Sequence, residues 1–432
     1  MDAGDETDLD VTSVAHGGVF VGRISDPADD SGRGGRVVFV PDAIPGERVR
    51  IRLTELGKKS FWRGEVLEVL EASPHRQPHI WRQADFSVPP HLRPGGADFG
   101  HIELSHQRAL KLEVLSDALK RFGGVEVPID PLRPADMTDP QGRLLAEETP
   151  DGTGWRTRVS LHVDADGRIG PFAARTHTVV PVDDLPLATA AVERAALRLT
   201  HGKPGRLDLV QPADGRVRII PRADSARSTP ASAREVITER VGEREFRVDA
   251  GGFWQVHRLA AATLDAAVRS AIGDLGGPDS DAQHLDLYGG VGLFAAALAE
   301  LGAARVTSVE SDPRATEHAG HNLAEWVGAR AETARVDRFV SRLAADASVR
   351  ERDRLARGVT VLDPPRSGAG REVVDAVAAL RPAAVVYVAC DPVALARDVA
   401  TFRAAGYGLQ RVTAFDLFPN SHHIEAVATL VR

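Results

Sequence analysis

The chain has 432 residues, a formal net charge of −8 at neutral pH and 43% hydrophobic residues. This length allows two or three domains, each with its own core. The negative charge provides no overall basic field for a nucleic acid. The single cysteine excludes a disulfide scaffold and a metal site built from several cysteines of this chain. An acidic N-terminus without an apolar signal core, and no apolar run of membrane-spanning length, predict a soluble, cytoplasmic protein.

Residues 10–72 consist of short apolar stretches separated by Gly and Pro, which predicts a small β-barrel. Arg48, Arg50 and Arg52 alternate along one predicted strand and therefore share a face, and four residues lie nearby: Lys58, Lys59, Trp62 and Arg63. Basic groups beside an exposed aromatic ring suit a platform for nucleic-acid bases. A solvated outer face of the barrel explains the same pattern equally well.

After the barrel, residues 105–122 have the periodicity of a helix. Residues 155–250 mix strand-like stretches with a helix near 187–200, which predicts a central α+β domain. No pattern in this central domain indicates catalysis. Three parts are predicted, namely the barrel, a connector with the central domain, and a C-terminal domain: 1–74, 75–250 and 251–432.

From about residue 260 onward, helices alternate with compact apolar strands. This rhythm predicts an α/β fold with a doubly wound parallel sheet and helices on both faces. The predicted helices are 256–272, 293–301 and 313–325, and the predicted strands are 284–287, 305–309, 360–362 and 384–388.

The first strand of this domain runs into a glycine-rich turn. Gly290, Gly292 and Ala295 fit a G-x-G-x-x-A spacing between strand and helix, where a cofactor can approach the backbone. Glu310 ends the next strand, where an acid typically binds ribose hydroxyls. Together they predict a nucleoside cofactor, either NAD or S-adenosylmethionine (SAM). Asp286 before the glycines, and the late position of the sheet in the chain, favour SAM.

Two further strands end in reactive side chains, one before Asp363 and one before Cys390. The carboxyl ends of parallel strands form the ligand-binding edge of an open α/β sheet. A lone cysteine is commonly a small buried hydrophobe, but at this edge Cys390 is a candidate nucleophile. Glu425, at the start of an otherwise apolar last strand, is a candidate functional acid. His422 and His423, shortly before Glu425, can each be explained by hydrogen bonds within a loop or by chance.

In order and spacing, these motifs resemble those of the bacterial RNA uracil-C5 methyltransferases, which act on ribosomal RNA and on the T-loop of tRNA. The matching segments cover 253–256, 286–292, 363–366, 387–392 and 418–425. The barrel resembles the RNA-binding TRAM domain of many members. The resemblance implies a class I methyltransferase (Rossmann-like) sheet, SAM as the cofactor and RNA as the partner.

The resemblance also implies roles for individual residues. Cys390 is the expected nucleophile and Glu425 the expected base. Contacts with SAM are expected from Gln255, Asp286, Tyr288, Gly290, Gly292, Glu310 and Asp363. Contacts with the RNA substrate are expected from Arg366, His422, His423 and Trp62.

The chain departs from the family pattern in two places. Many members hold a 4Fe–4S cluster with cysteines near a Cys-Gly-Gly-Cys run, whereas the similar stretch here, 95–101, has none, which predicts that the cluster is lost. Ala389 and Asp391 replace the usual Ser and Asn beside the nucleophile. An acid beside a thiol raises its pKa and disfavours the thiolate. A non-catalytic RNA-binding relative is therefore an alternative.

The expected chemistry needs one thiol and one carboxylate. A thiolate adds to uracil C6, C5 then attacks the methyl group, and a base removes the C5 proton so that the thiolate leaves. RNA cytosine-C5 enzymes typically use a second cysteine for release, so a single cysteine favours uracil. A nicotinamide oxidoreductase would leave Asp363, Cys390 and Glu425 unexplained. The TRAM-like barrel favours 23S ribosomal RNA over tRNA, and the oligomeric state stays undetermined.

Overall fold

A computed structural model describes residues 1–24, 35–56, 61–138, 143–174, 176–224 and 228–432. Lys58 and Lys59, which were predicted to join a basic platform, lie outside the described residues. None of the helices in these ranges combines the length and the apolar character needed to cross a lipid bilayer.

The N-terminal strands close into the predicted small barrel. They are β1 (Glu6–Ala15), β2 (Val19–Ile24), β3 (Arg36–Val40), β4 (Arg48–Leu56) and β5 (Phe61–Glu71). They pair in the order β1-β2-β3-β5-β4, and β4 closes the barrel against β1. Side chains alternate along β4, so that Val49, Ile51 and Leu53 fill the barrel interior.

The prediction of an exposed Trp62 is wrong. Alternate residues of β5 face the barrel core, and Trp62 lies on that face with 8% of its surface exposed. The guanidinium of Arg36 covers its ring at 5.3 Å from the ring centroid. The exposed ring of this strand is that of Phe61. Trp62 therefore supports the barrel rather than offering a surface for bases.

The arginines of β4 share the outer face of the barrel, as predicted, but acids on the neighbouring strands pair with them. Arg48 and Arg50 both contact Asp8 of β1, at 3.3 and 3.2 Å. Arg52 contacts Glu6 of β1 at 2.9 Å and also Glu65 of β5. This face is therefore electrostatically mixed rather than a basic stripe.

The connector ties the barrel to the rest of the molecule. It contains α1 (Leu104–Arg121), β6 (Arg133–Pro134), β7 (Asp136–Thr138) and β8 (Leu144–Glu147). Phe99, Ile102 and Leu110 complete the barrel core, whereas Leu115 and Leu119 on the other side of α1 belong to the core of the C-terminal domain. One helix thus contributes to two cores.

The central region contains a four-stranded antiparallel sheet in the order β10-β9-β11-β12 and a separate hairpin, β13-β14. The elements are β9 (Arg158–Val163), β10 (Ile169–Gly170), α2 (Ala190–Leu197), β11 (Gly205–Val210), β12 (Arg218–Ala223), β13 (Val236–Val241) and β14 (Arg244–Asp249). Phe246 and Val248 of the hairpin share a core with Leu264 and Val268 of the following domain. Hydrophobic cores therefore cross both predicted boundaries, and the three-part division stays a proposal.

The C-terminal domain has the predicted α/β architecture. Its helices are α3 (Ala260–Asp274), α4 (Leu293–Glu300), α5 (Pro313–Asn322), α6 (Val336–Asp346), α7 (Val349–Arg357), α8 (Arg371–Leu380) and α9 (Pro392–Ala404). Its strands are β15 (His284–Leu287), β16 (Val306–Glu310), β17 (Ala329–Thr333), β18 (Val359–Leu362), β19 (Ala384–Ala389), β20 (Gly408–Asp416) and β21 (Glu425–Val431). The helix predicted from residue 256 begins at 260, because Val256 and His257 pair with residues 156 and 157 instead.

The sheet of this domain is mixed rather than wholly parallel. Its order is β17-β16-β15-β18-β19-β21-β20-β6, and β21 runs antiparallel to both β19 and β20. Because of this reversal, the first residue of β21 lies at the same edge as the carboxyl ends of the parallel strands β15, β16, β18 and β19. The reversal thereby brings a residue from the end of the chain to the ligand-binding edge.

Candidate active site

The ends of β19 and β21 bring Cys390 and Glu425 together. Ala389 pairs with Ala426 in the antiparallel ladder, so one further step of the same register sets Cys390 opposite Glu425. Glu425 is 5% exposed and Cys390 is partly buried. The two candidate catalytic residues, predicted from separate motifs, thus lie at adjoining ends of neighbouring strands, Cys390 just after β19 and Glu425 at the start of β21.

A cavity of about 990 Å³ runs along this edge of the sheet. It is lined by most of the predicted site residues: Gln255, Tyr288, Gly290, Glu310, Asp363, Arg366, Cys390, His423 and Glu425. Its volume is at the upper end of the range of small-molecule sites. One continuous space therefore joins the glycine-rich turn to the thiol.

The glycine-rich turn leaves its backbone open to this cavity. Gly290 has a φ of 53°, a left-handed conformation that glycine adopts readily, and an added Cβ there would meet no atom within 4 Å. Its N–H donates a hydrogen bond to the Glu310 carboxylate at 3.2 Å. Glu310 also accepts hydrogen bonds from the amides of Ser311 and Asp312. The acid at the end of β16 is therefore held rigidly beside the turn.

Two residues predicted to contact the cofactor do not line the cavity. Asp286 is fully buried, and its Oδ2 accepts hydrogen bonds from the Ala295 amide at 3.1 Å and from the Ser308 hydroxyl at 2.9 Å. Gly292, with a φ of 90°, is the N-cap residue that immediately precedes α4. The direct contact with the cofactor that was expected of these two residues is therefore corrected to an indirect role. Both residues support the glycine-rich turn from the buried side.

Acidic groups at the edge of the cavity are held in unfavourable surroundings. Burial raises the pKa of Asp286 to about 6, and burial together with the nearby Asp286 raises the pKa of Asp363 to about 7. In the described part of the chain, neither carboxylate has a Lys or Arg within ion-pair distance. A positively charged ligand in the cavity would offset this cost. The open glycine turn, Glu310 and Asp363 together fit a nucleoside cofactor that carries a cation, as SAM does.

The surroundings of both candidate catalytic groups favour their protonated forms. Burial, followed by the charge of Glu425, raises the pKa of the Cys390 thiol to about 12, and Arg366 opposes this effect. Burial and the charge of Asp363 raise the pKa of Glu425 well above its usual value. Asp391, the acid beside the thiol in sequence, contributes least among the named groups.

The two histidines of the last loop occupy different places. His423 lines the large cavity, and burial together with His422 lowers its pKa to about 3, so it is neutral at physiological pH. His422 faces a smaller cavity of about 160 Å³ beside the barrel, and its Nδ1 lies 2.5 Å from Asp98 Oδ2. Of the two, only His423 reaches the large cavity.

Three of the cavity-lining residues that sequence reasoning missed are large aromatic or basic side chains near the reactive groups. Phe253 begins one of the matching motifs and is 72% exposed at the rim. Trp155 and Arg156 come from the central region, and no local pattern marked them. Arg156 and Arg366 have no carboxylate within ion-pair distance among the described residues. The cavity therefore carries an exposed ring and two arginines beside the reactive groups.

Comparison with known proteins agrees with this arrangement. The chain matches the family model for tRNA (uracil-5-)-methyltransferase over residues 271–432 and the TRAM domain over residues 3–67. An uncharacterized RNA methyltransferase of Streptomyces avermitilis is 36% identical, with 99% of this chain and 98% of that protein covered. Another from Bifidobacterium longum is 34% identical, with 92% of each chain covered.

Among solved structures, the Pyrococcus abyssi tRNA (uracil-54, C5)-methyltransferase in complex with S-adenosyl-L-homocysteine is similar in fold. The TM-score is 0.66 at 21% identity, with 98% of this chain and 100% of that chain covered. The fold is that of a class I, SAM-dependent methyltransferase with a TRAM barrel. The chain belongs to the RNA uracil-C5 methyltransferase family. The predictions of family, fold class and cofactor are confirmed.

Proposed function

We propose that this enzyme methylates C5 of a uridine in RNA and that Cys390 bonds covalently to C6 of the uracil during the reaction. The observation that carries the proposal is the register of β19 and β21, which sets Cys390 opposite Glu425 at the edge of the large cavity. Cys390 is the only cysteine of the chain, so no second thiol competes for the role of nucleophile.

The residues proposed to hold the cofactor are Gln255, Tyr288, Gly290, Glu310 and Asp363, which line one part of the cavity. Glu310 is positioned for hydroxyl groups of a ribose, and the open backbone at Gly290 allows close approach. When bound, SAM supplies a methyl group carried on a positively charged sulfur.

Cys390 acts on the uracil ring as a thiolate. Burial disfavours that form, and Arg366 is the cation whose charge lowers the pKa of the thiol. Addition of the sulfur to C6 breaks the C5–C6 double bond and moves its electron pair through C5 to the O4 enolate. C5 is then nucleophilic and can accept a methyl group.

Glu425 has the properties of the base that ends the reaction. The raised pKa of its carboxyl makes the ionised form a strong base. In its ionised form it takes the proton from the methylated C5. The electrons of that C–H bond re-form the C5–C6 double bond and expel the Cys390 thiolate, which restores the enzyme.

RNA suits the rest of the cavity. A base inside folded RNA must be splayed out to reach a buried thiol, and splayed bases commonly stack on aromatic rings. Phe253 offers an exposed ring at the rim of the cavity. Arg156 and Arg366 line the same cavity, and because guanidinium groups bind phosphate in a bidentate manner, they are the proposed partners of the phosphates that flank such a base.

Two RNA substrates are candidates. The TRAM barrel is the observation that favours 23S ribosomal RNA. The family model is named for tRNA, and the P. abyssi tRNA enzyme matches 98% of this chain, barrel included, which favours the T-loop of tRNA. The barrel alone therefore does not separate the two substrates. Mapping 5-methyluridine in rRNA and tRNA from a strain that lacks the protein decides between them.

The covalent step is tested with tritiated SAM and both RNAs. Cys390→Ala should abolish methyl transfer, and Glu425→Gln should trap the enzyme–RNA adduct as a slowly migrating band, because the C5 proton is not removed. Glu372→Gln, an exposed change on α8, serves as the control and should turn over normally. Unchanged methyl transfer by Cys390→Ala would refute the covalent mechanism.

A further inference from the structure

The turn between β1 and β2 of the barrel rests on the loop that carries the nucleophile. His16 Nε2 lies 2.9 Å from Asp391 Oδ2, although the two residues are 375 positions apart. Gly18 packs so closely that an added Cβ would lie 2.6 Å from Asp98 Oδ2 and 2.8 Å from His422 Nδ1. The β1–β2 turn thus contacts the nucleophile loop through His16, and through Gly18 it packs against the connector and the loop before β21.

The contact with His16 determines where the Asp391 carboxylate points. Its Oδ1 accepts a hydrogen bond from the Ala394 amide at 2.8 Å and caps the start of α9. Its Oδ2 is hydrogen-bonded to His16 Nε2. Both oxygens of the acid that follows Cys390 are therefore engaged by groups other than the thiol.

We propose that His16 of the barrel is a positioning residue for the nucleophile: it fixes the Asp391 carboxylate against the barrel and offsets its charge, so that Cys390 can react despite the acid beside it. This inference rests on the proposed role of Cys390. It extends the active site to the barrel, because the β1–β2 turn then acts on the reactivity of a residue in the C-terminal domain.

The charges around the pair are consistent with this role. The thiol is faced by Glu425 of β21, by Asp363 and Arg366 of the loop after β18, and by Asp391. The hydrogen bond with Asp391 raises the pKa of His16, against the opposing effects of burial and of Arg397 on α9. Although burial favours the protonated acid, the hydrogen bond from His16 keeps the pKa of Asp391 below its usual value. The pair is therefore stabilised in its ionised, mutually neutralising form.

The test measures the reactivity of the thiol directly. Cys390 is the only cysteine, so the rate of alkylation by iodoacetamide as a function of pH reports on this thiol alone, without RNA or SAM. His16→Ala leaves an unpaired acid beside the thiol and should slow alkylation about three- to tenfold at a given pH. The double variant with Asp391→Asn should recover the wild-type rate, because the acid is then absent.

Two further variants keep the test decisive. His75→Ala removes a comparable His–carboxylate contact, with Glu103 at 3.2 Å, and should leave the alkylation rate unchanged. Asp391→Asn alone should react at least as fast as the wild type. General unfolding of His16→Ala would expose the thiol and accelerate alkylation, which is the opposite sign.

An unchanged rate for folded His16→Ala, an equal loss in His75→Ala, or failure of Asp391→Asn to restore the rate would overturn the inference. His16→Ala should also shift the pH profile of methyl transfer to higher pH, and the added Asp391→Asn should reverse that shift. If Cys390→Ala still transfers methyl groups, the proposed mechanism fails, yet the alkylation series still decides whether His16 controls the thiol.

Discussion

Single residues of the active site are held in surroundings that oppose their reactive forms. Burial is the main cause that raises the pKa of Cys390 to about 12 and the pKa of Asp363 to about 7. Burial also raises the pKa of Glu425 well above its usual value. Groups arranged in this way commonly reduce the stability of the fold and are retained for chemistry. In the absence of substrate, the active-site residues of this enzyme should therefore measurably lower the free energy of unfolding.

Glu425→Gln should make the protein more stable at alkaline pH. An acid whose pKa is raised by folding binds more protons in the folded state, so wild-type stability falls as pH rises from the unfolded through the folded pKa. Glutamine does not titrate, and we expect the Tm of the variant to exceed that of the wild type by roughly 1–2 °C near pH 8. Near pH 4 the difference should vanish.

Thermal unfolding followed by circular dichroism measures this difference. Glu325→Gln, at an exposed position, is the matched control and should show no pH-dependent change in Tm. Equal Tm values for Glu425→Gln and the wild type at every pH would mean that Glu425 is not held in its protonated form.

Arginines with and without carboxylate partners should differ in their contribution to RNA binding. Arg156 lines the cavity without such a partner among the described residues, whereas Arg50 contacts Asp8 and Glu68. Arg156→Gln should weaken RNA binding about tenfold, since a charge-assisted hydrogen bond is worth roughly 1.5–3 kcal/mol. Arg50→Gln, the matched surface change, should have little effect. Equilibrium titration with labelled RNA measures both, and an equal loss in the two variants would contradict the assignment.

At the scale of elements, the junction between β19 and α9 combines two tasks within three residues. β19 ends at Ala389, Cys390 occupies the bend, and Asp391 caps α9 with Pro392 in its first turn. A helix that begins directly after the nucleophile fixes the thiol relative to the sheet. The residue that caps this helix is therefore also the acid nearest to the thiol in sequence.

Asp391→Ala and Asp391→Asn should separate these two tasks. Alanine removes the cap, and we expect a loss of about 1 kcal/mol in the free energy of unfolding. Asparagine caps a helix nearly as well as aspartate and should keep the stability while removing the charge. Urea denaturation of both variants measures this, and equal losses would show that the ion pair with His16, not the cap, dominates.

At the scale of the whole molecule, the barrel is joined to the C-terminal domain by buried charges as well as by apolar cores. Arg76 of the connector contacts the fully buried Glu47 of the barrel at 2.6 Å. Lys111 of α1 and Asp416 of β20, both fully buried, lie 2.5 Å apart. Removing one partner of such a pair leaves the other charge buried without compensation, which is strongly destabilising. The docked arrangement of the barrel and the C-terminal domain therefore depends on both members of each pair.

Gly18→Ala should disturb this docking, and Gly17→Ala is its matched control. Both glycines have a positive φ, so each substitution carries a similar backbone strain of about 1 kcal/mol. Only the Cβ at position 18 would clash with Asp98 and His422; position 17 has nothing within 4 Å. Gly18→Ala should therefore lose several-fold more methyl transfer than Gly17→Ala. Equal activity of the two variants would show that the close fit is irrelevant to catalysis.

Much of the fold and of the reactive edge could be predicted from the sequence because the relevant signals are local. Periodicity indicated the barrel and the α/β domain, and the glycine-rich turn and Glu310 follow directly from strand ends. Cys390 was located by the same rule. In parallel strands, the position along the strand alone decides which edge a residue occupies.

Only the tertiary structure decided the features that depend on contacts between distant parts of the chain. The reversal of β21 placed Glu425 opposite Cys390. Trp62 is buried because it lies on the face of β5 that points into the barrel, and the folding of the central region brought Arg156 to the cavity. The pairing of His16 with Asp391 spans 375 positions. Such contacts follow from the packing of whole elements, and that packing leaves no periodic trace in the residues that meet.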